Sequence, residues 1–305
     1  MMIEPNWQLA RKRVTLEERA RIIQQIRAFF ISHNFLEVET PHRIPANAPE
    51  LHIDAVPSGN WFLQTSPELC MKRLLAAGYE NLFQICRCWR AGERSHSHLP
   101  EYSMLEWYRS HCDYYRLMDD CEALFSHLLP KQLITWQGQT IDLSPPWPRL
   151  TIADAFSKFS SISLITALAT DEFDSVIAFE IEPNLPAGRP IFLTEYPIDH
   201  ASLARKKISD TTVAERFELY IGGLELANAF SELTDPVEQQ KRFIEEESQR
   251  RKKGKVPYPN PEPFLKELTT LPPSAGIALG VDRLIMLFCD INLIDDVVSF
   301  TPEQL

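Results

Sequence analysis

The chain has 305 residues and a formal net charge of −11, from 31 Lys and Arg against 42 Asp and Glu. This length suits one large domain or two small ones, and the 44% apolar content suits a buried core. The acidic balance weighs against a broad nucleic-acid surface, and no segment reaches the ~18 consecutive apolar residues of a membrane span. With no visible secretory signal and six scattered cysteines, we expect a cytoplasmic protein with reduced thiols.

The first predicted element is a long amphipathic helix. Thr15 and Glu18 have the spacing of a capping box, and apolar residues recur at helical spacing over residues 22–30. Residues 35–40 alternate as a strand. Residues 41–60 contain four prolines, which predicts an irregular loop.

A second helix and a hairpin are predicted next. Ser66-Pro67-Glu68 is typical of an N-cap and two first helical positions, and the helix should end near Gly78. Residues 82–90 and 102–109 have strand composition, and a polar loop joins them. One face of the second strand suits a cleft better than a core, because it carries a carboxylate between phenols. Its members are Tyr102, Met104, Glu106 and Tyr108.

The remaining elements are less informative about function. Helices are predicted over residues 114–129 and 235–254, with one or two more within 144–190. A small hairpin is expected around residues 136–139, and a short apolar strand over residues 190–196.

The dipeptide Gly222-Gly223 predicts a two-residue turn between strands over residues 217–227. Regular pairing across it sets Glu218 opposite Ala227 and makes Glu218 and Glu225 diagonal neighbours, roughly 7 Å apart. Two carboxylates this close repel each other unless a cation lies between them, and oxygen ligands favour Mg²⁺. The alternative is a pair of solvated glutamates on an exposed sheet face.

A strand near the C-terminus is unusual for its small residues. Gly276, Ala278 and Gly280 occupy alternate positions and leave one strand face bare, as a flat ligand lying on it would require. Arg283 follows at the start of an apolar helix, beside that face.

Together these stretches resemble the three motifs of class II aminoacyl-tRNA synthetases. The first helix with Glu37–Pro41 resembles motif 1, Phe83–Tyr108 resembles motif 2, and Gly276–Arg283 resembles motif 3. The resemblance covers about residues 15–300 and is greatest to the lysyl branch. It implies an α+β fold, with an antiparallel sheet of about six strands flanked by helices. It also implies a homodimer formed through the first helix and strand.

Only about fourteen residues precede the first helix, whereas lysyl-tRNA synthetases carry an N-terminal anticodon-binding domain. We therefore expect a tail over residues 1–14 and a class II catalytic domain over residues 15–305, without tRNA binding. The chain more closely resembles the EpmA (PoxA/GenX) family of free-standing lysyl-tRNA synthetase paralogues, partly because Ala278 stands where lysyl-tRNA synthetases have Gly. That resemblance implies ATP-dependent activation of lysine or (R)-β-lysine and its transfer to a lysine of translation elongation factor P.

The resemblance also implies a nucleotide site. Arg90 and Arg283 would be catalytic: Arg90 would bind the ATP α-phosphate and the substrate carboxylate, while Tyr102 and Arg283 would hold the adenine between them. Glu218 and Glu225 would hold Mg²⁺. The implied ATP-binding residues are Arg90, Gly92, Glu93, His98, Leu99, Tyr102, Glu225, Leu226, Gly280 and Arg283.

A pocket for a diamino acid is implied beside the nucleotide. Carboxylates would bind its ammonium groups, and aromatic rings would pack against its aliphatic stem. The implied residues are Ser66, Pro67, Glu68, Glu106, Tyr108, Asn228, Phe230, Glu232 and Ala278.

The chain departs from the family pattern in motif 2. The usual Arg-Asn-Glu is Arg90-Ala91-Gly92, so the adenine-reading carboxylate is either Glu93 after a loop shift or absent. Leu99 stands where an Asn is usual. Strict alternation also places Asn228, Phe230 and Glu232 on the face opposite Glu225, which requires a bulge or bend near Ala227 if both sets face one site.

Two other functions remain as alternatives. The chain could be a catalytically weak paralogue that binds an amino acid as a regulator, or a truncated synthetase that charges a tRNA-like acceptor. A zinc site formed by Cys86, Cys88, His96 and His98 is disfavoured, because their spacing matches no common zinc motif.

Overall fold

The computed structural model describes residues 6–201 and 203–305. Residues 1–5 of the predicted tail therefore lie outside the described residues. The helices are α1 (Trp7–Ala10), α2 (Arg13–Ser32), α3 (Glu68–Ala76), α4 (Tyr114–Leu128), α5 (Ile152–Phe159), α6 (Leu164–Ala169), α7 (Phe173–Val176), α8 (Pro236–Lys252), α9 (Glu262–Glu267) and α10 (Val281–Phe288).

The strands form one large sheet and three small ones. They are β1 (Leu36–Glu37), β2 (Arg43–Ile44), β3 (Pro57–Ser58), β4 (Trp61–Leu63), β5 (Asn81–Trp89), β6 (Glu101–Ser110), β7 (Leu133–Trp136), β8 (Gln139–Asp142), β9 (Arg149–Thr151), β10 (Ile191–Thr194), β11 (Lys206–Lys207), β12 (Asp210–Ala214), β13 (Arg216–Ile221), β14 (Leu224–Ser231) and β15 (Ser274–Gly280).

The large sheet has the order β1-β5-β6-β15-β14-β13-β10-β9. Its central strands, from β5 to β10, pair antiparallel throughout. A short strand adds in parallel at each edge, β1 beside β5 and β9 beside β10. The predicted α+β fold with about six antiparallel strands is confirmed, and the two edge strands extend it to eight.

One face of this sheet is covered by α2, α4 and α10. Alternate residues such as Phe83, Leu105, Trp107 and Ile277 join these helices in the main hydrophobic core. The residues between them point to the opposite face of the sheet, because successive side chains of a strand alternate. That opposite face is left available for a site.

The start of α2 differs from the prediction. The helix begins at Arg13, and its N-cap residue Lys12 makes no side-chain cap, so the capping box of Thr15 and Glu18 does not form. The Lys12 ammonium is buried and donates to the carbonyls of Asp295 (2.7 Å) and Val298 (3.1 Å). Long-range anchoring near the C-terminus thus replaces a local cap, and residues within the predicted tail belong to this packed structure.

Helix α3 begins one residue later than predicted. Pro67 is its N-cap residue and Glu68 its first helical residue. The Ser66 hydroxyl accepts a hydrogen bond from the Glu68 amide at 3.0 Å. Ser66 therefore still accepts a hydrogen bond from a free amide of the first turn, although it lies one residue before the N-cap position.

The β13–β14 hairpin contains the bulge that the site requires. Gly222 and Gly223 form the turn with φ of 59° and 80°. The register shifts between Leu219 and Tyr220, so Glu218 pairs with Asn228 rather than with Ala227 as regular pairing predicted. The extra residue in β14 brings both ends of the hairpin to one face of the sheet.

Other elements agree with the sequence in kind. The hairpin β7–β8 and the helices α5, α6 and α7 fall in the expected regions. Residues 41–60, predicted as an irregular loop, contain the short strands β2 and β3. Within the described residues, no helix is both long and apolar enough to cross a membrane.

Candidate active site

A cavity of about 1060 Å³ opens on the sheet face opposite the helices. Strands β6, β13, β14 and β15 form its floor, and α8 and residues 49–53 form part of its wall. Of the predicted site residues, Pro67, Gly92 and Glu232 do not line it. The others do: Ser66, Glu68, Arg90, Glu93, His98, Leu99, Tyr102, Glu106, Tyr108, Glu218, Glu225, Leu226, Asn228, Phe230, Ala278, Gly280 and Arg283.

Arg90 lies at one end of the cavity and has hydrogen-bond donors without a partner among the described residues. Its guanidinium lies 5.3 Å from the centre of the Tyr102 ring, so this ring face is covered by Arg90. The buried Nε of Arg90 has no hydrogen-bond partner, and Nη1 is 3.7 Å from Glu93 Oε1. A cation held this way has free donors for an anionic ligand.

Gly92 explains how Glu93 reaches the cavity. Its φ is 78°, a conformation that side chains other than glycine rarely adopt, and nothing lies within 4 Å of where a Cβ would stand. The tight turn at Gly92 directs its own backbone away from the cavity and brings the next side chain, Glu93, back beside Arg90.

Arg283 is held firmly by three groups. It donates to the carbonyls of Glu225 (2.7 Å) and Ser97 (3.3 Å), and to Nε2 of His98. Burial, and then the charge of Arg283, lower the pKa of His98 to about 4. His98 is thus neutral at physiological pH, so Nε2 accepts from Arg283 and Nδ1–H donates to Ser95 Oγ at 2.8 Å.

The other end of the cavity is acidic. Glu106 accepts hydrogen bonds from the hydroxyls of Ser66 (2.6 Å) and Tyr108 (2.8 Å). Burial, and then the nearby Glu68, raise the pKa of Glu106 to about 8. An ammonium group bound here would offset the cost of ionising this buried carboxylate.

Lys72 is a member of this acidic end that sequence reasoning did not assign. Its ammonium is 2.6 Å from Glu68 Oε1 and 2.5 Å from Glu232 Oε2, and it lies 4.9 Å from the centre of the Phe230 ring. Burial by itself would lower the pKa of Lys72, but Glu232 and Glu68 outweigh it and raise the pKa. Glu232 therefore lies behind the cavity wall, paired with an internal cation.

The small residues of β15 have different roles. A Cβ at Gly276 would collide with the Tyr108 ring and the Glu232 carboxylate, so the protein itself fills this part of the face that was predicted to be bare. At Gly280 the nearest atoms would be 3.8 Å away, on Arg283. Ala278 packs in a small cluster on the cavity floor, with Cys86, Cys88, Met104 and Tyr102.

The two cysteines of this cluster do not form a metal site. Cys86 Sγ and Cys88 Sγ face each other at 3.9 Å, and burial raises the pKa of Cys88 well above its usual value. Across the described part of the chain, no group of three or more His, Cys, Asp or Glu residues is arranged to hold a metal ion. All six cysteines have free thiols.

Glu218 and Glu225 lie on the same cavity wall with different partners. Glu218 accepts from Arg216 (2.6 Å), Tyr196 (2.6 Å) and Tyr220 (2.8 Å). Glu225 Oε2 lies 3.4 Å from Arg283. Burial and the neighbouring charge of Glu218 raise the pKa of Glu225. Two neighbouring carboxylates on one wall are a suitable donor set for a hard divalent cation. Phosphate oxygens of a bound nucleotide would complete the coordination of that cation.

Three residues that sequence reasoning missed now join the site. Arg216 is two positions before Glu218 on the same strand face, a spacing that could have revealed it. Lys72 is four positions after Glu68 on a helix, the spacing of a neighbouring ion pair. Glu50 is in a loop and gave no periodic signal.

Comparison with known proteins agrees with this architecture. Residues 7–304 match the family described as tRNA synthetases class II (D, K and N). The chain belongs to the class II aminoacyl-tRNA synthetase family. The class II match begins inside the tail predicted over residues 1–14.

Within this class II family, the chain is similar to several proteins named elongation factor P–(R)-β-lysine ligase. It is 37% identical over 318 aligned positions to the ligase of Enterobacter sp. (strain 638). It is 36% identical over 321 positions to that of Pectobacterium atrosepticum and 37% identical over 318 positions to that of Salmonella gallinarum. Each comparison covers 98% of both chains.

Proposed function

We propose that this protein uses ATP to activate lysine or (R)-β-lysine as the aminoacyl adenylate and transfers it to a lysine ε-amine of translation elongation factor P. The observation that carries the proposal is the full-length similarity to proteins named as such ligases. The cavity supports it, because an arginine-rich end and an acidic end suit a nucleotide and a diamino acid, respectively.

In the activation step, a carboxylate oxygen of the amino acid attacks the α-phosphorus of ATP, and pyrophosphate leaves. Arg90 would bind the α-phosphate and the substrate carboxylate with its free donors, and it would stabilise the charge that develops. Arg283 and Tyr102 would contact the adenine, with Glu93 as the carboxylate that reads it. No covalent enzyme intermediate is needed, because positioning and electrostatics are enough for this chemistry.

Glu218 and Glu225 would hold Mg²⁺, which neutralises phosphate charge when it is bound. Arg216 would orient Glu218 through its 2.6 Å hydrogen bond. Gly280 would permit close approach of the nucleotide, Leu226 would line its site, and His98 would position Arg283.

At the acidic end, the balance of charge suits a substrate with two ammonium groups. Glu68, Glu106 and Glu232 supply three carboxylates when all are ionised, and Lys72 neutralises one of them. The remaining two negative charges match two substrate ammonium groups. The rings of Tyr108 and Phe230 would pack against the aliphatic stem, with Ala278 below it and Asn228 at its side.

We also propose that residues 15–305, together with the packed residues 7–14, form one catalytic domain, that the protein is a cytoplasmic homodimer, and that it does not bind tRNA. The first helix and strand would form the dimer interface. Ile31 and Leu36 support this, because they are large apolar residues that are 59% and 50% exposed in the single chain. Light scattering combined with gel filtration tests the dimer.

The decisive experiment measures ATP–pyrophosphate exchange with lysine and with (R)-β-lysine in the absence of tRNA, followed by the intact mass of added elongation factor P. Exchange with a mass gain of one lysyl unit supports the proposal and identifies the preferred isomer. Exchange without transfer would direct the search to another acceptor, and a tRNA-like acceptor is then tested. No exchange with either amino acid would favour a regulator that only binds the amino acid.

Replacing Arg90 separates the enzyme from that regulator. Arg90→Ala should lower exchange by ~100-fold or more, because it removes a group that stabilises charge in the transition state. Arg87→Ala is the matched control, since Arg87 lies on β5 three residues before Arg90, is half exposed and pairs with Glu101 at 3.8 Å. Equal exchange rates in both variants would exclude Arg90 from the catalytic machinery.

A further inference from the structure

Residues 49–53 form a loop that lies between Arg90 and α8 in the cavity wall. Arg250, which is fully buried in α8, donates to the carbonyls of Glu50 and Ile53, each at 2.7 Å. The Leu51 amide donates to Glu246 of the same helix at 2.9 Å. The backbone around Glu50 is therefore fixed by α8.

The Glu50 carboxylate has no hydrogen-bond or ion-pair partner among the described residues, although it lines the cavity. Other carboxylates near Arg90 and the amino-acid pocket each have a partner. Glu93 has Arg90, Glu68 has Lys72, and Glu225 has Arg283. Glu106 has Ser66 and Tyr108.

The charged groups that act on Glu50 come from several elements. Arg90 and Arg216 favour its ionised form, whereas Glu68 and Glu246 oppose it. Burial has the largest effect and, with these charges, raises the pKa of Glu50 to about 7. At neutral pH the group is thus present in both forms, which is the condition under which a side chain accepts and later releases a proton efficiently.

The proposed transfer needs such a group. An acceptor lysine with an ordinary pKa of ~10.4 is almost entirely protonated at neutral pH and cannot attack in that form. Resting on the proposed function, we propose that Glu50 is the general base that removes this proton during transfer. The amine nitrogen forms a bond to the adenylate carbonyl carbon, the carbon–oxygen bond to phosphate breaks, and AMP leaves with the electron pair. One proton passes from the ammonium to the Glu50 carboxylate before the attack and then to solvent. The second proton, which the nitrogen releases as the amide forms, leaves to solvent by the same carboxylate.

The position of Glu50 agrees with this role. Glu50 lines the same cavity as Arg90, the group proposed to hold the α-phosphate. The Ala91 amide, next to Arg90, donates to the carbonyl of Asp54 at 2.6 Å and so ties the loop of Glu50 to this end of the cavity. On its other side, the loop of Glu50 is hydrogen-bonded to α8 through Arg250 and Glu246, and α8 also lines the cavity.

The test compares Glu50→Gln with wild type in two separate half-reactions. The first is amino-acid-dependent ATP–pyrophosphate exchange, and the second is single-turnover transfer from preformed adenylate to elongation factor P. We expect exchange within ~3-fold of wild type and transfer slowed by ~100-fold or more, the usual contribution of a general base. The wild-type transfer rate should rise with pH and level off above about 7, whereas the rate of the variant should keep rising with the fraction of neutral acceptor amine.

Hydroxylamine provides a second acceptor that is largely neutral near pH 7 and needs no base. Trapping of the adenylate as hydroxamate should therefore be equally fast in wild type and in Glu50→Gln. The matched control is Glu245→Gln, which changes another carboxylate of the cavity wall, one that faces Lys241 at 3.8 Å. The control should transfer at the wild-type rate.

Two results would overturn the inference while leaving the proposed function intact. One is transfer by Glu50→Gln at the wild-type rate. The other is a parallel loss of exchange and transfer, which would assign Glu50 to adenylation or substrate binding. If wild type makes the adenylate but modifies no elongation factor P, the proposed function fails and this inference fails with it.

Discussion

Lys72 offers the sharpest test of the charge arrangement in the amino-acid pocket. Its side chain is 2% exposed, and its ammonium lies within 2.6 Å of carboxylate oxygens on both Glu68 and Glu232. Lys72→Met removes the charge and keeps a side chain of similar length. Glu232, which is 0% exposed, then loses its counter-charge in the free enzyme.

The expected cost follows from that burial. Removing one partner of a buried ion pair costs ~3–5 kcal/mol, because an uncompensated charge stays inside. For a chain of this size, each kcal/mol lowers Tm by about 2 °C, which gives a decrease of ~6–10 °C. Burial raises the pKa of Glu232 and Lys72 lowers it, so the pKa rises further in the variant.

The sign of the pH dependence is then fixed. The folded variant holds a proton on Glu232 that the unfolded chain has released, so stability is present at low pH and lost as pH rises through the folded-state pKa. Glu232 already has a pKa of about 8 in the wild type, so the deficit should stay constant below that pH, where both folded proteins hold the proton. Above about pH 8 only the variant holds it, and the deficit should grow by ~1.4 kcal/mol for each pH unit.

Thermal and urea unfolding of wild type and Lys72→Met at pH 6, 7.5 and 9 measures both effects. The matched control is Arg73→Met, because Arg73 is adjacent on α3 but forms its 2.7 Å pair with Glu267 at the surface. That change should cost only ~0–1 kcal/mol. The double variant Lys72→Met/Glu232→Leu should recover much of the loss, since both partners are gone. If Lys72→Met is as stable as the control at pH 9, or its deficit does not depend on pH, the charge argument is wrong.

Two further predictions concern the same pocket. Because Glu106 has a pKa of about 8 in the free protein, the KM for lysine in the exchange assay should fall between pH 6 and 8, and stability should decrease over the same range as the buried group ionises. Glu106→Gln should flatten the KM profile and make the decrease of stability less steep, since Glu232 and Glu50 also have raised pKa values. A flat wild-type profile would contradict both trends. Gly276→Ala should lower stability by ~1–3 kcal/mol, because its Cβ collides with the Tyr108 ring. Gly280→Ala should unfold like wild type, so equal losses in urea titrations would refute the argument.

Local patterns in the sequence predicted the elements that define the sheet. Alternation identified β6 and its cavity-facing residues, and Gly222-Gly223 identified the β13–β14 turn. These features could be predicted because they depend on neighbours a few residues away. The start of α2 could not, because buried Lys12 is anchored to carbonyls more than 280 residues away along the chain.

The residues of the candidate site divide in the same way. Strand alternation showed that a bulge was needed near Ala227, because residues on both sides of it had to face one site. The exact position of the bulge depends on how β13 and β14 pack against their neighbours. Glu50 lies in a loop without periodicity, and only the packing of that loop on α8 brings it beside Arg90. Gly92 appeared as a lost carboxylate, whereas its φ of 78° shows a turn that carries Glu93 into the cavity.

The two ends of the cavity together indicate how one amino acid would be oriented. A substrate carboxylate is attracted to Arg90 and repelled by Glu68 and Glu106, while its ammonium groups experience the opposite field. The reversed orientation would place ammonium groups beside Arg90 and leave Glu106 without a cation. Because Glu106 is buried and resists ionisation, it would then remain protonated and contribute little to binding. The pocket would therefore favour a bound substrate that points its carboxylate toward the nucleotide, before any contact that distinguishes lysine from (R)-β-lysine.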